Sequence, residues 1–236
     1  LLLRNKLLDL LIVAALISLS ACEPSGESPK VLRIGILPDQ SQEELKNKFS
    51  PLFEHISGTL GMPYELVIPS DYDDLLAKFN GSKVDLAYFG GFTFLLAQKK
   101  SNAVPIVMRD VDARFVSHFV VRADETENSL AGYGKRRLAF GSRLSTSGHL
   151  MPRFHLREAG IEPESFFSSV SYSGAHDKTT YWVRDGKADV GVANGQIVDK
   201  MIEDGRIKPG ELRILWTTPP YPDYVWVMRN NISRRL

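Results

Sequence analysis

The sequence predicts an α/β protein built as two lobes around a hinge. Short apolar runs rich in branched residues alternate with helix-like periodic stretches, and this alternation occurs twice, on either side of a polar passage at residues 123–129. A last strand-like run, at 224–229, follows a proline-rich segment and fits a chain that returns to its first lobe. With 43% hydrophobic and 24% charged residues the chain can form packed cores, which excludes the disordered and collagen-like classes.

The first series consists of four predicted strands joined by helices. The strands are predicted at 31–37, 64–68, 84–89 and 104–109. After the first strand, Ser41 with Glu44 three residues on forms a capping box for a helix from about residue 42 to 59. Gly58 and Gly61 offer positions for its end. Because strands separated by helices pair in parallel, we expect a sheet covered on both faces.

The second series repeats this pattern. Its strands are predicted at 136–140, 168–172, 188–193 and 212–217, with helices from about residue 148 to 159, after residue 176 and from about 196 to 203. The strand-like run at 114–122 precedes the polar passage and is assigned to the first lobe. The predicted lobes are therefore residues 31–121 with 218–236, and residues 122–217. A ligand would lie between them, at the carboxyl ends of the strands.

The first 30 residues resemble the export signal of a bacterial lipoprotein. Arg4 and Lys6 precede a short uncharged apolar stretch, which predicts a signal peptide over residues 1–21 rather than a membrane span. The segment LSAC then resembles a lipobox, in which the thiol of Cys22 is acylated after cleavage, and residues 22–30 form a tether. A lone buried thiol is the alternative. Cys22 is the only cysteine of the chain, so no internal disulfide can form.

Charge and motif content exclude several classes of function. Removing residues 1–21 removes two basic residues and one acidic residue, which leaves a formal charge of zero and no basic surface for nucleic acid. Hydrolase elbows, phosphate-binding loops and zinc-peptidase motifs are absent from the sequence. His149 and His155 are six residues apart, and the segment DYDD at 71–74 lacks the rest of a calcium loop. We therefore predict no metal and no cofactor.

Three consecutive hydroxyl residues mark the start of one helix. The segment FGSRLSTSGHLMPRFHL places Ser145, Thr146 and Ser147 between a strand end and Gly148. A helix start presents unpaired N–H groups and the positive end of the helix dipole, which together can hold an anion. Capping by Ser147 alone is the simpler explanation, and the local pattern does not decide between them. Three hydroxyls supply more donors than capping uses, and a glycine lets the backbone approach a ligand closely.

The order of the motifs resembles a known family. The segments GILPDQS, SDYDDLLAKFNGSKVDLAYFGGFTFLLA, FGSRLSTSGHLMP, YSGAHDKTTYWVRDGKADVG and TTPPYPDYVW resemble the phosphonate and related oxyanion-binding proteins of ABC transporters. The resemblance covers nearly all of residues 31–229. It implies a type II-like periplasmic-binding-protein fold that closes on a small anion and delivers it to a permease with its ATPase subunit. It also implies a monomeric periplasmic protein with a lipid anchor. Family members are usually longer, which implies a truncated C-terminus.

The resemblance also implies roles for three further residues. In GAHD, His176 would donate an imidazole N–H to the oxyanion, and Asp177 matches a position that meets the ammonium group of aminophosphonates. The alternative for both is an ordinary helix start, where an aspartate is favoured by the dipole. Tyr72 matches a tyrosine that reaches the ligand from the first lobe. Its alternative is an exposed residue in a first helical turn.

Other candidates come from strand ends and from the crossing segment. Strand alternation lets only one of Tyr88 and Phe89 face the cleft, and Phe89 stands where some relatives have a tyrosine. Asp39 follows one strand and Asp223 precedes another, so both could lie at the cleft or the hinge, although a surface turn is the favoured interpretation of each. Asn194, at another strand end, is a comparable candidate. The proline-rich TTPPYPDYVW segment either walls the cleft or forms a rigid loop with core aromatics.

Two other functions remain open from the sequence. A binding lipoprotein that docks onto a membrane signalling protein would use the same fold and the same site. A hydrolase would need Ser145 or Ser147 as nucleophile and His176 as base. Within the resemblance the anion can be phosphonate, phosphite, phosphate or selenate, and the GGFTF and TTPPYPDY segments resemble relatives assigned to selenate uptake.

Overall fold

The computed structural model describes residues 30–232. Residues 30–230 form one compact unit that contains two sheets of five strands each. Each sheet has its own cluster of buried apolar side chains. The two-sheet α/β architecture expected from the sequence is therefore confirmed.

The first sheet has the strand order β2-β1-β3-β10-β4. Its strands are β1 (Leu32–Ile36), β2 (Tyr64–Val67), β3 (Leu86–Phe89), β4 (Val104–Val107) and, from the far end of the chain, β10 (Val225–Met228). Its helices are α1 (Gln42–Leu60), α2 (Tyr72–Asn80) and α3 (Gly91–Ser101). A short 3₁₀ helix, Asp110–Arg114, follows β4 and was not expected from the sequence.

The second sheet has the order β7-β6-β8-β5-β9. Its strands are β5 (Ser117–Arg122), β6 (Arg137–Phe140), β7 (Ser169–Tyr172), β8 (Val190–Asn194) and β9 (Leu212–Thr217). Its helices are α4 (Met151–Glu158), α5 (Pro163–Phe166), α6 (His176–Arg184) and α7 (Gly195–Glu203). A π-helical turn over Thr146–Leu150 leads directly into α4, and a 3₁₀ turn covers Leu130–Tyr133.

The predicted ends of α1 agree with the structure. The Ser41 hydroxyl accepts the N–H of Glu44 at 3.3 Å, which is the predicted N-cap bond, and it donates to the Glu44 carboxylate at 3.0 Å. The second bond of a capping box is not formed, because the backbone N–H of Ser41 donates to Asp177 at 3.0 Å rather than to Glu44. The helix ends at Gly61, whose φ of 62° lies in the left-handed region that a glycine adopts without strain.

The pairing of the strands differs from the prediction in two places. The parallel pairing expected throughout holds for β1 with β2 and β3, and for β6 with β7 and β8. In contrast, β10 lies antiparallel between β3 and β4, and β5 lies antiparallel between β8 and β9. The assignment of residues 117–121 to the first lobe was therefore wrong. The chain crosses before β5, and this strand completes the second sheet as β10 completes the first.

The chain passes between the two sheets at residues 115–117 and again at 218–221, and these two crossing segments are hydrogen-bonded to each other. Phe115 and Tyr221 exchange both backbone hydrogen bonds, at 2.8 and 2.9 Å. Next to them the N–H of Thr218 donates to the carbonyl of Ser117 at 3.0 Å, and the N–H of Ser117 donates to the Thr218 hydroxyl at 3.0 Å. The two segments therefore form a short paired ribbon between the sheets.

The same arginine–aspartate contact recurs in both sheets. Asp85, before β3, accepts the backbone N–H of Arg33 at 3.0 Å and its Nε–H at 2.8 Å. Asp189, before β8, accepts the backbone N–H of Arg137 at 2.9 Å and its Nε–H at 3.0 Å. Each carboxylate thus ties the first strand of its series to the strand beside it, because a bidentate arginine contact has a defined geometry.

Candidate functional site

The three consecutive hydroxyl residues at 145–147, called here the hydroxyl segment, lie in the chain between β6 and α4. Ser145 is the N-cap of the π-helical turn, and its Oγ accepts the N–H of Gly148 at 2.9 Å. Ser145, Thr146 and Ser147 are all buried. Capping therefore falls to Ser145 rather than to Ser147, and the hydroxyls of Thr146 and Ser147 are left for other contacts.

Thr146 connects the hydroxyl segment to the first sheet. Its Oγ1 accepts the N–H of Phe92 at 3.0 Å, in the first turn of α3. The N-cap of α3 is Gly90, which has no side chain to satisfy the helix N–H groups. A Cβ at Gly90 would lie 3.2 Å from Thr146 Oγ1 and 3.1 Å from Asp223 Oδ1. The glycine thus permits the close approach of a helix start to the hydroxyl segment.

Ser147 and Asp223 carry unused hydrogen-bonding capacity at the same place. Ser147 is 0% exposed, and its Oγ has no hydrogen-bond partner among residues 30–232. Asp223 Oδ1 accepts the N–H of Gly91 at 3.0 Å, whereas its Oδ2 has no partner in that same range. The Thr146 and Ser147 hydroxyls lie near enough to lower the Asp223 pKa, but they do not reach Oδ2 in normal hydrogen-bond geometry. Burial outweighs them and raises the pKa of Asp223 to about 6.

His176 opens α6 as a buried, neutral donor. Its Nδ1 accepts the backbone N–H of Asn194 at 3.1 Å. A nitrogen that accepts carries no proton, so the hydrogen bond assigns the ring proton to Nε2, which faces the Tyr224 hydroxyl at 3.5 Å. Burial lowers the pKa of His176 to about 3, and the ring is therefore uncharged at neutral pH.

Gly148 lies directly against the imidazole. A Cβ there would come within 2.9 Å of His176 Cε1 and 3.0 Å of Ser145 Oγ. Real Cβ atoms do not approach that closely, so any larger residue would displace the ring or the capping hydroxyl. The glycine expected to admit a ligand therefore also sets the position of His176.

Tyr224 links the two sheets through hydrogen bonds. Its hydroxyl donates to Asp39 Oδ2 at 2.8 Å and accepts the Nδ2–H of Asn194 at 3.2 Å. The backbone carbonyl of Asp39 in turn accepts the N–H of His176 at 2.9 Å. The sequence singled out Tyr224 only as one aromatic of the crossing segment. Its position in the chain, directly after Asp223 and before a strand, is the signal that could have identified it.

Asp39 and Asp223 do not lie in surface turns. Asp39 is 6% exposed and Asp223 is 2% exposed, because both carboxylates point into the seam between the sheets. Burial raises the pKa of Asp39, although the charge of Lys48 and the Tyr224 hydroxyl act in the opposite direction. The sequence alone offered no reason to choose the seam over solvent for these two side chains.

Tyr72 also reaches this seam. It is the first residue of α2 and is 2% exposed, so it is not the exposed first-turn residue that the sequence allowed. Burial and the charge of Asp39 raise its pKa well above the ordinary value, while Ser145 and Tyr224 lie close enough to its hydroxyl to act in the opposite direction. The phenol is therefore a protonated donor beside the hydroxyl segment.

Three other predicted side chains have partners of their own. Asp177 accepts the N–H of Ser41 at 3.0 Å and that of Lys178 at 2.6 Å, so each of its oxygens already has a donor. Tyr88 donates to Asp112 at 3.2 Å. Its ring stacks on that of Tyr224, with 5.0 Å between the centroids.

Phe89 is 0% exposed and packs edge-on against Phe79 at 5.2 Å between centroids. Of the pair on β3, Tyr88 is therefore the one on the side of Tyr224, and Phe89 lies in the core. The lipidation predicted at Cys22 lies outside the described residues.

A cavity of about 570 Å³ opens beside this cluster. Asp39, Asn194 and Tyr224 line it on one side, next to His176. The remaining wall is formed by Gln40, Glu44, Asn47, Lys48, Phe49, Tyr88, Arg109, Gln196, Ile197, Lys200, Asp204 and Arg206. The cavity is therefore bounded by residues of both sheets.

The described part of the chain has neither a metal-binding cluster nor a membrane-spanning helix. Residues 30–232 contain no set of three or more His, Cys, Asp or Glu side chains placed to hold a metal ion. Over the same range, no helix combines the length and the hydropathy that a membrane span needs.

The sequence is similar to substrate-binding proteins of ABC transporters. Residues 34–236 match the family model of the periplasmic substrate-binding protein of phosphonate ABC transporters. The chain is 33% identical over 220 residues to PhnD1 of Prochlorococcus marinus, a probable phosphite-binding protein of an ABC transporter, covering 90% of this chain and 74% of that protein. It is 29% identical over 201 residues to the phosphate-import protein PhnD of Mycolicibacterium smegmatis, covering 80% of this chain and 63% of that protein.

The fold agrees with these matches. The structure of Prochlorococcus marinus PhnD1 in complex with methylphosphonate superposes with a TM-score of 0.81 at 33% identity, over 86% of this chain and 77% of that one. These similar proteins are substrate-binding components of transporters. The two sheets with their crossing strands are the type II periplasmic-binding-protein fold.

Proposed function

Because the chain belongs to the phosphonate-binding proteins that serve ABC transporters as periplasmic substrate-binding components, we propose that it captures a phosphonate or a related oxyanion between its two sheets. The hydroxyls of Thr146 and Ser147, the Nε2–H of His176 and the phenol of Tyr72 are the proposed donors. Ser145 and Gly148 hold this donor set in place. Asp223 is the proposed acceptor for a proton carried by the ligand.

One observation carries this proposal. Ser147 Oγ and Asp223 Oδ2 are both buried, both lack a hydrogen-bond partner within residues 30–232, and lie near each other at the start of α3. Buried polar groups in folded proteins are nearly always hydrogen-bonded, and exceptions require an explanation. An oxyanion placed here would accept from Ser147, while a protonated ligand oxygen would donate to Asp223.

Asp223 supports a choice among the candidate anions. A carboxylate beside the ligand repels a fully ionised oxyanion and accepts a hydrogen bond from one that keeps a P–OH group. Phosphonate, phosphate and phosphite carry such a proton near neutral pH. Sulfate and selenate do not. We therefore favour the phosphorus anions over the selenate that two sequence segments suggested.

Hydrogen bonds between the two sheets would stabilise the closed form of the protein. Phe92 donates to Thr146, Ser41 donates to Asp177, and the carbonyl of Asp39 accepts from His176. Each contact joins the first sheet to the second, so closure removes water from the donor set. Charge-assisted hydrogen bonds are stronger in such a low-dielectric environment, which favours the bound and closed form.

The geometry does not support the hydrolase alternative. His176 Nδ1 already accepts from the Asn194 backbone, and Nε2 carries the proton, so no ring nitrogen is available to take a proton from a serine. Ser145 Oγ accepts from Gly148 as a cap. The arrangement suits binding of an anion rather than activation of a nucleophile.

Location and partners follow from the family. Its members work outside the cytoplasm with an ABC permease, and we propose that this chain delivers its anion to such a permease and its ATPase subunit as a monomer. We also propose that Cys22 carries lipid and holds the protein at a membrane surface. When Cys22 is replaced with Ser, the protein should no longer fractionate as a lipidated protein. A variant that still does so would contradict the lipid anchor.

Calorimetric titration of the full chain in detergent tests the proposed function. The titrants are phosphate, phosphite, methylphosphonate, 2-aminoethylphosphonate, sulfate and selenate. We expect at least one phosphorus anion to bind, with sulfate and selenate roughly 100-fold weaker because they leave Asp223 unpaired. Failure of every anion to bind, or a preference for sulfate or selenate, would overturn the proposal.

A further inference from the structure

The cavity beside the donor set is larger than a tetrahedral anion requires. Its volume of about 570 Å³ lies within the roughly 300–1,000 Å³ typical of pockets for organic ligands. Tyr224 and Asn194 line it, and the same two side chains contact each other beside His176. The proposed donors do not line the cavity themselves, but His176 contacts its lining residues Tyr224 and Asn194, so the substituent of a ligand at His176 has this space beside it.

The inner end of the cavity presents an unsatisfied acceptor. Asp39 is 6% exposed, and its Oδ2 accepts from Tyr224. The Gln40 amide lies near and lowers the Asp39 pKa, yet no donor among the described residues reaches Oδ1 in hydrogen-bond geometry. A buried carboxylate oxygen without a partner calls for an N–H donor, above all a charged one.

The outer part of the cavity presents a cation without a salt bridge. Arg109 pairs with Asp112, Lys200 with Glu203, and Arg206 with both Glu44 and Asp204.

Lys48 is the exception. Over residues 30–232 it takes part in no ion pair of 4.0 Å or less, and its ammonium lies 5.3 Å from the centroid of the Phe49 ring. Burial lowers the pKa of Lys48, and the charge of Asp39 offsets this only in part. Lys48 lines the cavity and also keeps part of its surface exposed to solvent.

We propose, on the basis of the proposed function, that the cavity takes the substituent of a phosphono amino acid, an organophosphonate that carries both an amine and a carboxylate. The amine donates to Asp39 Oδ1, and the carboxylate pairs with the Lys48 ammonium. The two side chains are thus a matched pair of opposite charges, and the phosphonate remains with the hydroxyls and His176. Asp177, which the sequence suggested for the ammonium, has no vacant oxygen for this role.

Four ligands that share the ethylphosphonate core and differ in what the second carbon carries test this assignment. Ethylphosphonate has neither group, 2-aminoethylphosphonate has the amine, 3-phosphonopropionate has the carboxylate, and 2-amino-3-phosphonopropionate has both. Titrated into the full chain, the amine and the carboxylate are each expected to increase affinity about tenfold, since a charge-assisted contact contributes at least that factor.

Three variants assign each gain to its residue. In Asp39→Asn the gain from the amine should fall below about threefold while the gain from the carboxylate persists, because only the amine contact is lost. Lys48→Gln should show the reverse pattern. Lys46→Gln removes an exposed lysine of the same helix that does not line the cavity, and it should keep both gains. Comparing ratios within each variant cancels any general change in phosphonate affinity.

The outcomes separate this inference from the proposed function. If ethylphosphonate binds but all four ligands have affinities within about threefold, the inference is wrong and oxyanion capture stands. Gains that persist equally in Asp39→Asn and Lys48→Gln also overturn the inference. If none of the four ligands, phosphate or phosphite binds, the proposed function itself fails.

Discussion

The two halves of the molecule share a topology and differ in what their strand ends supply. Both sheets place a series of three parallel strands beside one crossing strand, and both tie neighbouring strands with an arginine–aspartate contact. At the seam, the second half contributes hydroxyls and an imidazole N–H. The first half and the returning segment contribute carboxylates and phenols. The repeated sheets therefore determine where the loops of the two halves meet. The residues in those loops determine which half donates hydrogen bonds and which half accepts them.

Removing donors from the second half should have the largest effect. In the double variant Thr146→Ala with Ser147→Ala, two charge-assisted hydrogen bonds to the anion are lost, and affinity for methylphosphonate should fall about 1,000-fold. The fold should persist, because Ser145 still caps the turn. Calorimetry gives the affinity and circular dichroism the melting temperature.

A matched control for this variant removes two exposed hydroxyls. Ser165→Ala with Ser168→Ala lies in the same half, away from the seam, and should bind as the wild type does. Equal affinity of the two double variants would remove the hydroxyl segment from the site.

Asp223, the acceptor that the returning segment places between the sheets, should make the stability of the protein depend on pH. Asp223 has a pKa of about 6 in the folded protein against 3.8 ordinarily, so the folded state binds the extra proton between these values. Ionisation of Asp223 therefore costs about 3 kcal/mol of folding free energy at pH 7, and most of this cost is gone when the pH has fallen to 4. Urea unfolding should show the wild type gaining about 2 kcal/mol over Asp223→Asn between pH 7 and pH 4. Parallel profiles would contradict it.

His176, on the donor side, should give the opposite slope. Its pKa is about 3 in the folded protein against 6.5 ordinarily, so the unfolded chain binds the proton first on acidification. Stability relative to His176→Gln should therefore fall as the pH drops below 6.5. A slope of the same sign as that of Asp223 would show that the ring is not a buried neutral donor.

Crowding the imidazole should have an intermediate effect. In Gly148→Ala the new Cβ meets His176 Cε1 and Ser145 Oγ, and overpacking of this kind costs about 2 kcal/mol of unfolding free energy. Affinity for the anion should fall about tenfold as the ring shifts. Gly58→Ala is the control, because a Cβ there meets nothing within 4 Å and a helical alanine stabilises. A Gly148→Ala protein that keeps wild-type stability and binding would contradict the close contact.

The smallest expected effect concerns an ion pair between the halves. Arg206 of the second half contacts Glu44 of the first, and both side chains are partly exposed to solvent. Exposed pairs contribute about 0–1 kcal/mol, so Glu44→Gln should weaken methylphosphonate binding by less than about fivefold. Glu43→Gln, one residue away, should have no effect. A loss larger than that of Gly148→Ala would show that this pair, rather than the donor set, holds the halves together.

The sequence predicted local structure better than contacts across the seam. Strand runs and the Ser41 N-cap are local signals, and the structure agrees with them. The position of β5 was missed because antiparallel insertion beside β8 depends on where the chain crosses. Phe89 and Tyr88 alternate visibly, but alternation does not say which face packs on Phe79. Asp177 has the same local pattern whether it faces a ligand or the Ser41 backbone 136 residues away.

The paired crossing segments restrict how the protein can open. Two strands joined edge to edge by the Phe115–Tyr221 and Ser117–Thr218 hydrogen bonds resist shear and twist far more than bending across their plane. We therefore expect the relative motion of the halves to be reduced to nearly a single rotational coordinate. If the chain binds its anion by closing, as proposed, Ser147 and Asp223 would return to the same relative position at every closure, and each binding cycle would begin from an aligned site.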